Sequence, residues 1–177
     1  LLQSVTGTIP SVISANTIRF TNSGVLRLTG SLTVNGIINA AGSGVLQIGN
    51  SAGTMPIGPT GELVVATNNM GVRIDAAIRE SAPGQNMTLF TQGSNFDLFG
   101  GNIITGTVRA FAPGTQTFQI SSGTYGTWIF STSNGSAWSF KPINTGTVTI
   151  GSIQGDAGFV KDQGAGGTVV LTGTSTY

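Results

Sequence analysis

The sequence predicts an all-β fold, a right-handed parallel β-solenoid of about 20 residues per rung and eight to nine rungs. Three observations predict it. Gly-Thr pairs recur at a near-constant step, at Gly106, Gly126, Gly146 and Gly167. Two and four places after each glycine lie apolar columns, Val108, Trp128, Val148 and Val169, then Ala110, Phe130, Ile150 and Leu171. Between them fall Thr107, Thr127, Thr147 and Thr168, then Arg109, Ile129, Thr149 and Val170, so side chains alternate as on a strand with one buried face.

Taken in chain order, SGVL at 23–26 and SGVL at 43–46 repeat the same step, and GELVV follows at 61. Each reads as a strand leaving a glycine corner, where the backbone needs positive φ or a close approach. The metre stumbles between 50 and 85, where MPIGPTG brings two prolines and GVRIDAAIRE carries Arg73, Asp75, Arg79 and Glu80. This stretch is expected to hold irregular rungs or an insertion. NMTLF at 86–90 resumes the pattern, with Phe90 in the fourth-residue column and Leu98 in the twelfth. A second strand per rung is expected at Phe118, Trp138 and Gly158 with Ile120, Phe140 and Val160, and Ile143 hints at a third. Like residues then stack on like at the ~4.8 Å strand spacing, and residues 1–177 form one solenoid segment. A sandwich or jelly roll also uses many short strands, but has no reason to keep such a register.

Composition narrows the function. Glycine supplies 28 of 177 residues without a Gly-X-Y period, and hydrophobic residues reach 38%, which excludes collagen and a disordered chain. The net charge is +1 and the charges are scattered, so no nucleic-acid partner is implied. No apolar run approaches the length of a membrane-spanning helix. Histidine and cysteine are absent, and a low-charge chain rich in Thr, Ser, Gly and Asn suits an extracellular or cell-surface setting. The opening LLQSVT, without an initiator Met, reads as a mature or excised piece of something longer.

The final stretch, GFVKDQGAGGTVVLTGTSTY at 158–177, resembles the passenger-associated transport repeat of bacterial autotransporters, also called the autotransporter-associated β-strand repeat. Gly158, Lys161, Gly164, Gly167, Thr168, Leu171, Gly173, Thr176 and Tyr177 occupy its places, with one residue more than the usual spacing before Gly167 and Ser175 where Asn is common. The resemblance is carried by this last stretch alone. It implies a secreted or surface-displayed bacterial β-helix, often a passenger with an adhesive, matrix or stalk role.

Catalytic chemistry finds little footing. Glycoside hydrolysis needs two carboxylates facing each other across a groove, and the six acids form no close pair in the sequence. No catalytic residue, cofactor site or metal site is assigned. Arg73, Asp75, Arg79 and Glu80 read as a solvated bend, with Asp75 and Arg79 at helical i,i+4 spacing if that bend were helical. The aromatic residues between 90 and 140 fall largely in inward columns, which makes them core. Phe96, Phe99, Phe111 and Tyr125 are left as candidates for surface contact. The Thr107, Thr127, Thr147 and Thr168 column lacks the doubled Thr-x-Thr ladder of an ice-binding face except at Thr147 and Thr149.

These readings converge on a non-enzymatic structural or adhesive segment outside the cell. Its partners would be protein surfaces, extracellular matrix or polysaccharide. A self-assembling filament subunit, joined through solenoid ends or sides, is the alternative, and a polysaccharide-acting β-helix enzyme a more remote one.

Overall fold

A computed structural model describes residues 7–9, 12–49, 53–68, 70–93, 95–143, 145–162 and 166–176. Gly164 and Tyr177 of the repeat-like motif lie outside the described residues. The chain winds as a parallel β-solenoid of about 7 turns with roughly 22 residues per turn. Turns are therefore fewer and longer than the sequence metre suggests.

Three strand positions recur in each turn. The first face is an eight-stranded parallel sheet of Gly7–Ile9, Gly24–Leu28, Leu46–Ile48, Val72–Ile74, Phe96–Leu98, Gln116–Ile120, Trp138–Pro142 and Phe159–Lys161. The second and third faces share a ten-stranded sheet bent at a corner, because long strands such as Leu32–Asn39, Asn102–Ala112 and Gly123–Thr132 run through both. In the irregular stretch the same path is split, with Thr54–Pro56 and Ala77–Arg79 on the second face and Glu62–Thr67 and Asn86–Phe90 on the third. Ile143 lies just past a first-face strand, so the third strand position belongs instead to the first halves of the long strands.

Glycine marks the bend between second and third faces for a steric reason. A Cβ on Gly126 would sit 2.1 Å from the Thr105 carbonyl oxygen, one on Gly151 2.9 Å from that of Gly126, and one on Gly173 2.6 Å from that of Gly151. Successive rungs touch backbone to backbone there, which only glycine permits.

This corner also resolves the apparent constant metre. Gly106 and Gly126 lead into the third face, whereas Gly146 and Gly167 lead into the second. Val108 stacks on Trp128 as expected, and Val148 on Val169. Val148, however, lies beside Gly123, while Trp128 lies beside Ile153. The step from Gly126 to Gly146 thus joins two different corners. Every face requires the same alternation after a glycine bend, so similar heptapeptides arise on different faces.

The core runs the length of the stack. On the first face Leu46, Val72, Phe96, Phe118 and Phe140 are successive register neighbours. On the third, Ile37, Val65, Leu89, Ala110 and Phe130 follow one another. All ten are buried. Aromatic residues widen the core toward its C-terminal part: Phe118 lies 5.1 Å from both Trp128 and Trp138, and Trp128 stacks 5.3 Å from Phe130. Three expected inward positions differ, Gly158 among them. Phe90 and Val160 are exposed, because Met87 rather than Thr88 aligns with Val108, and Phe159 rather than Gly158 aligns with Trp138. One residue of offset reverses the facing of a strand.

Buried polar groups are concentrated at corners. Asn102, fully buried on the second face, accepts from the Ile78 amide at 2.9 Å and donates to the Tyr125 hydroxyl at 3.0 Å. Asn39 donates to the Gly71 carbonyl at 3.0 Å and accepts from the Ala41 amide at 3.1 Å. Each thereby meets backbone groups that the sheet ladder leaves unpaired at a bend.

Candidate functional site

Of the four aromatics expected at the surface, two belong to the core. Phe96 stacks 5.5 Å from Phe118 inside the first face. Tyr125 is buried on the second face, 5.2 Å from Trp128, with its hydroxyl on Asn102. Both follow from register, since Phe96 aligns with inward Phe118 and Tyr125 with inward Ile104 and Ile150. Burial raises the Tyr125 phenol far above its ordinary value, against smaller lowering effects from Asn102 and Arg79.

Phe99 and Phe111 are half-buried and sit in different surroundings. Phe99 lies beneath the Arg73 guanidinium, 4.7 Å from its ring centre, a cation–π contact. Arg73 also pairs through Nε with Asp75 Oδ1 at 2.8 Å, and Gln47 Nε2 donates to the other carboxylate oxygen. Asp97 is Arg73's register neighbour on the next rung. Burial raises the Asp97 carboxyl, Arg73 lowers it and Asp75 raises it, the burial effect being largest. Its Oδ1 is buried without a hydrogen-bond partner.

Asp75 and Asp97 therefore stand on adjacent rungs, a proximity that their distance apart in the sequence concealed. The other acids of the region serve the fold. Glu80 accepts from the amides of Thr105 and Gly106 at 2.7 and 3.2 Å, closing a corner, and Glu62 accepts from the Thr88 hydroxyl. Asp75 turns to Arg73, while Arg79 donates to the carbonyls of Ile78 and Gly101. No helix forms across this bend, so the i,i+4 pairing is not made. Among the described residues no group of three or more acids could hold a metal ion.

Phe111 belongs to a surface groove of about 570 Å³ along the third face and its far corner. Its partner is Phe90, 43% exposed, with ring centres 5.0 Å apart and planes within 13°. Along this outward column Ala66 precedes Phe90 and Ser131 follows Phe111. Two rings thus stand side by side between two small residues. Thr91, Gln92, Thr132 and Ser133 edge the groove, and none of its lining residues is charged. Sequence reasoning found Phe111 and missed Phe90. The usable signal was the buried pair Met87 and Leu89, whose alternation leaves Phe90 facing out.

The repeat-like motif builds the last described rung. Phe159–Lys161 and Thr168–Leu171 continue the first and second faces, and Thr176 bridges to Gln154 on the third. Gly173 takes the close corner over Gly151, and Gly167 packs against Pro142 and the Gly146 carbonyl. Lys161 and Gly158 are exposed, and Lys141 pairs with Asp162 at 3.7 Å. Thr168 is outward, while Leu171 follows inward Ile150 yet remains 42% exposed at the end of the stack.

No protein-family model, curated protein or solved structure matches this chain.

Proposed function

We propose that the chain is a structural and adhesive segment of a secreted or cell-surface bacterial protein, a passenger-like stalk rather than an enzyme. The observation that carries this reading is the continuity of the stack: both sheets run unbroken through the successive turns, and the strands of the autotransporter-like motif form a rung in register with the rest. Such a stack holds surface features at fixed positions along a stiff axis. The acids add support, because Glu62, Glu80 and Asp75 hold neighbouring groups of the fold.

The absence of cysteine from the sequence makes a direct test simple. Gln154, exposed on the third face, is replaced by Cys, and the producing bacterium is treated with a membrane-impermeant maleimide. Labelling of intact cells or of released protein is expected. Labelling that requires lysis would refute the proposal.

A further inference from the structure

We infer that the outward side of the third face is a self-association surface, on which a second copy of this chain packs face to face with its solenoid axis reversed. This goes beyond the stalk reading and does not depend on it.

The register lays out this surface. One outward column runs Arg19, Ile38, Ala66, Phe90, Phe111 and Ser131 on consecutive rungs. Exposed Asp156 follows Gly155, the register partner of Phe130, and so continues the column past Ser131. Ile38 and Phe90 are 37% and 43% exposed, and with half-buried Ala66 and Phe111 they form an apolar ridge. It is three rung steps long, or ~14 Å. The neighbouring outward column carries Val64, Arg109 and Ile129, and Glu62 lies two residues before Val64 on the same side. Two cations and two anions thus flank the ridge. Among the described residues none of these four charges is ion-paired within the chain.

The surface is complementary to itself. A two-fold axis along the strand of Phe90 reverses the order of rungs while each column faces its own equivalent, the isologous arrangement of symmetric dimers. Arg19 then meets Asp156 of the second copy, Ile38 meets Ser131, and Phe111 enters the space over Ala66, while Phe90 meets Phe90 at the axis. Arg109 faces Val64, one column from Glu62 and within reach of it. Away from the axis large side chains meet small ones, and each charge meets its opposite. Sliding the second copy by one rung sets Arg19 against Ser131 in one direction and Asp156 against Ile38 in the other. Parallel axes would place each arginine level with the same arginine of the other copy. Charges at such an interface fix register and orientation more than affinity. Between its outermost columns and rungs the surface measures ~29 by ~13 Å, at the small end of specific interfaces, so the pairing is reversible and depends on concentration.

The test is sedimentation velocity of the purified chain over a concentration series. A monomer–dimer equilibrium is expected, and Phe111→Ala should weaken the dimer about tenfold or more. Arg19→Glu and Asp156→Lys should each weaken it about tenfold by setting like charges together twice, and combining the two should restore the dimer. Val160→Glu, exposed on the first face, should leave it unchanged. Matching urea midpoints in dilute solution confirm that each variant is folded. The inference is overturned if the chain stays monomeric at every soluble concentration, whether or not a glycan array retains it, or if it grows into fibres rather than closed dimers. It is equally overturned if Phe111→Ala dimerises as the parent does, if the combined charge variant fails to recover, or if Val160→Glu abolishes the dimer.

Discussion

Phe118→Ala removes the centre of the aromatic core. Phe118 is fully buried on the first face and surrounded by the rings of Phe96, Trp128, Phe130, Trp138 and Phe140, with centroids 5.1 to 6.5 Å away. Those rings belong to three successive rungs, so the wall around the vacated space is held by backbone ladders and closes poorly. A buried Phe→Ala change costs about 3–5 kcal/mol, and the crowding of rings places this site toward the upper end. With a urea dependence of about 2 kcal/mol per molar, the midpoint should fall by roughly 2 M. The assay is equilibrium urea unfolding followed by tryptophan fluorescence, with the slope required to match the parent. Phe90→Ala removes the same ring from an exposed position and should move the midpoint by less than about 0.5 M. A Phe118→Ala shift as small as that of Phe90→Ala, at unchanged slope, would refute the assignment of inward columns.

Three further outcomes follow from the same packing. Tyr125→Phe strands the Asn102 side-chain amide in the core and should cost about 1–3 kcal/mol, read from the same unfolding curves. Because the folded Tyr125 phenol is held above its unfolded value, its contribution is complete below about pH 10 and is lost as pH rises beyond it, so the Tyr125→Phe deficit should shrink in alkaline buffers. Asp97 carries a raised carboxyl, so the charged form is disfavoured in the fold at neutral pH; Asp97→Asn should raise the melting temperature at pH 7, with the gain fading as pH falls through the raised folded value and gone below about 4. Gly126→Ala should be strongly destabilising because its Cβ meets the Thr105 and Gly106 carbonyls at 2.1 and 2.3 Å, whereas Gly114→Ala, with nothing nearer than 3.8 Å, should stabilise by about 0.4–1 kcal/mol. Thermal melts of the two variants should move in opposite directions.

The solenoid was legible in the sequence because in-out alternation after glycine corners is a local property. Trp128, Phe130, Trp138 and Phe140 could be assigned to the core from parity alone, and all are buried. Turn length was not legible. On the first face Gly7 pairs with Leu26 after a short turn and Leu46 with Val72 after a distinctly longer one, since corners can lengthen without disturbing the stacked strands. Alternation also cannot say which face a strand belongs to, so Gly126 and Gly146 looked equivalent while occupying different corners. Phe90 was lost for the related reason that a single-residue corner shift inverts its facing. Phe96 sits in a strand of three residues, too short for parity to be read from sequence, and Tyr125 faces in together with Trp128 because the bend at Gly126 interrupts the alternation along Gly123–Thr132. The groove itself depends on Ala66, Phe90, Phe111 and Ser131 standing on consecutive rungs at unequal separations along the chain, a juxtaposition that only the register reveals.

Stacking of the rungs along one stiff axis underlies both the stalk and the groove, and a pair of spin labels tests it most directly. Thr17 and Gln154 are exposed and stand in one outward column of the third face, separated by six rung steps through Gly36, Val64, Thr88, Arg109 and Ile129. At ~4.8 Å per step their backbones are roughly 29 Å apart. Labels on Thr17→Cys and Gln154→Cys should give a single narrow distance distribution near that value in a pulsed electron–electron resonance measurement. A broad distribution, or one centred farther from that value than the label linkers can reach, would contradict the stack.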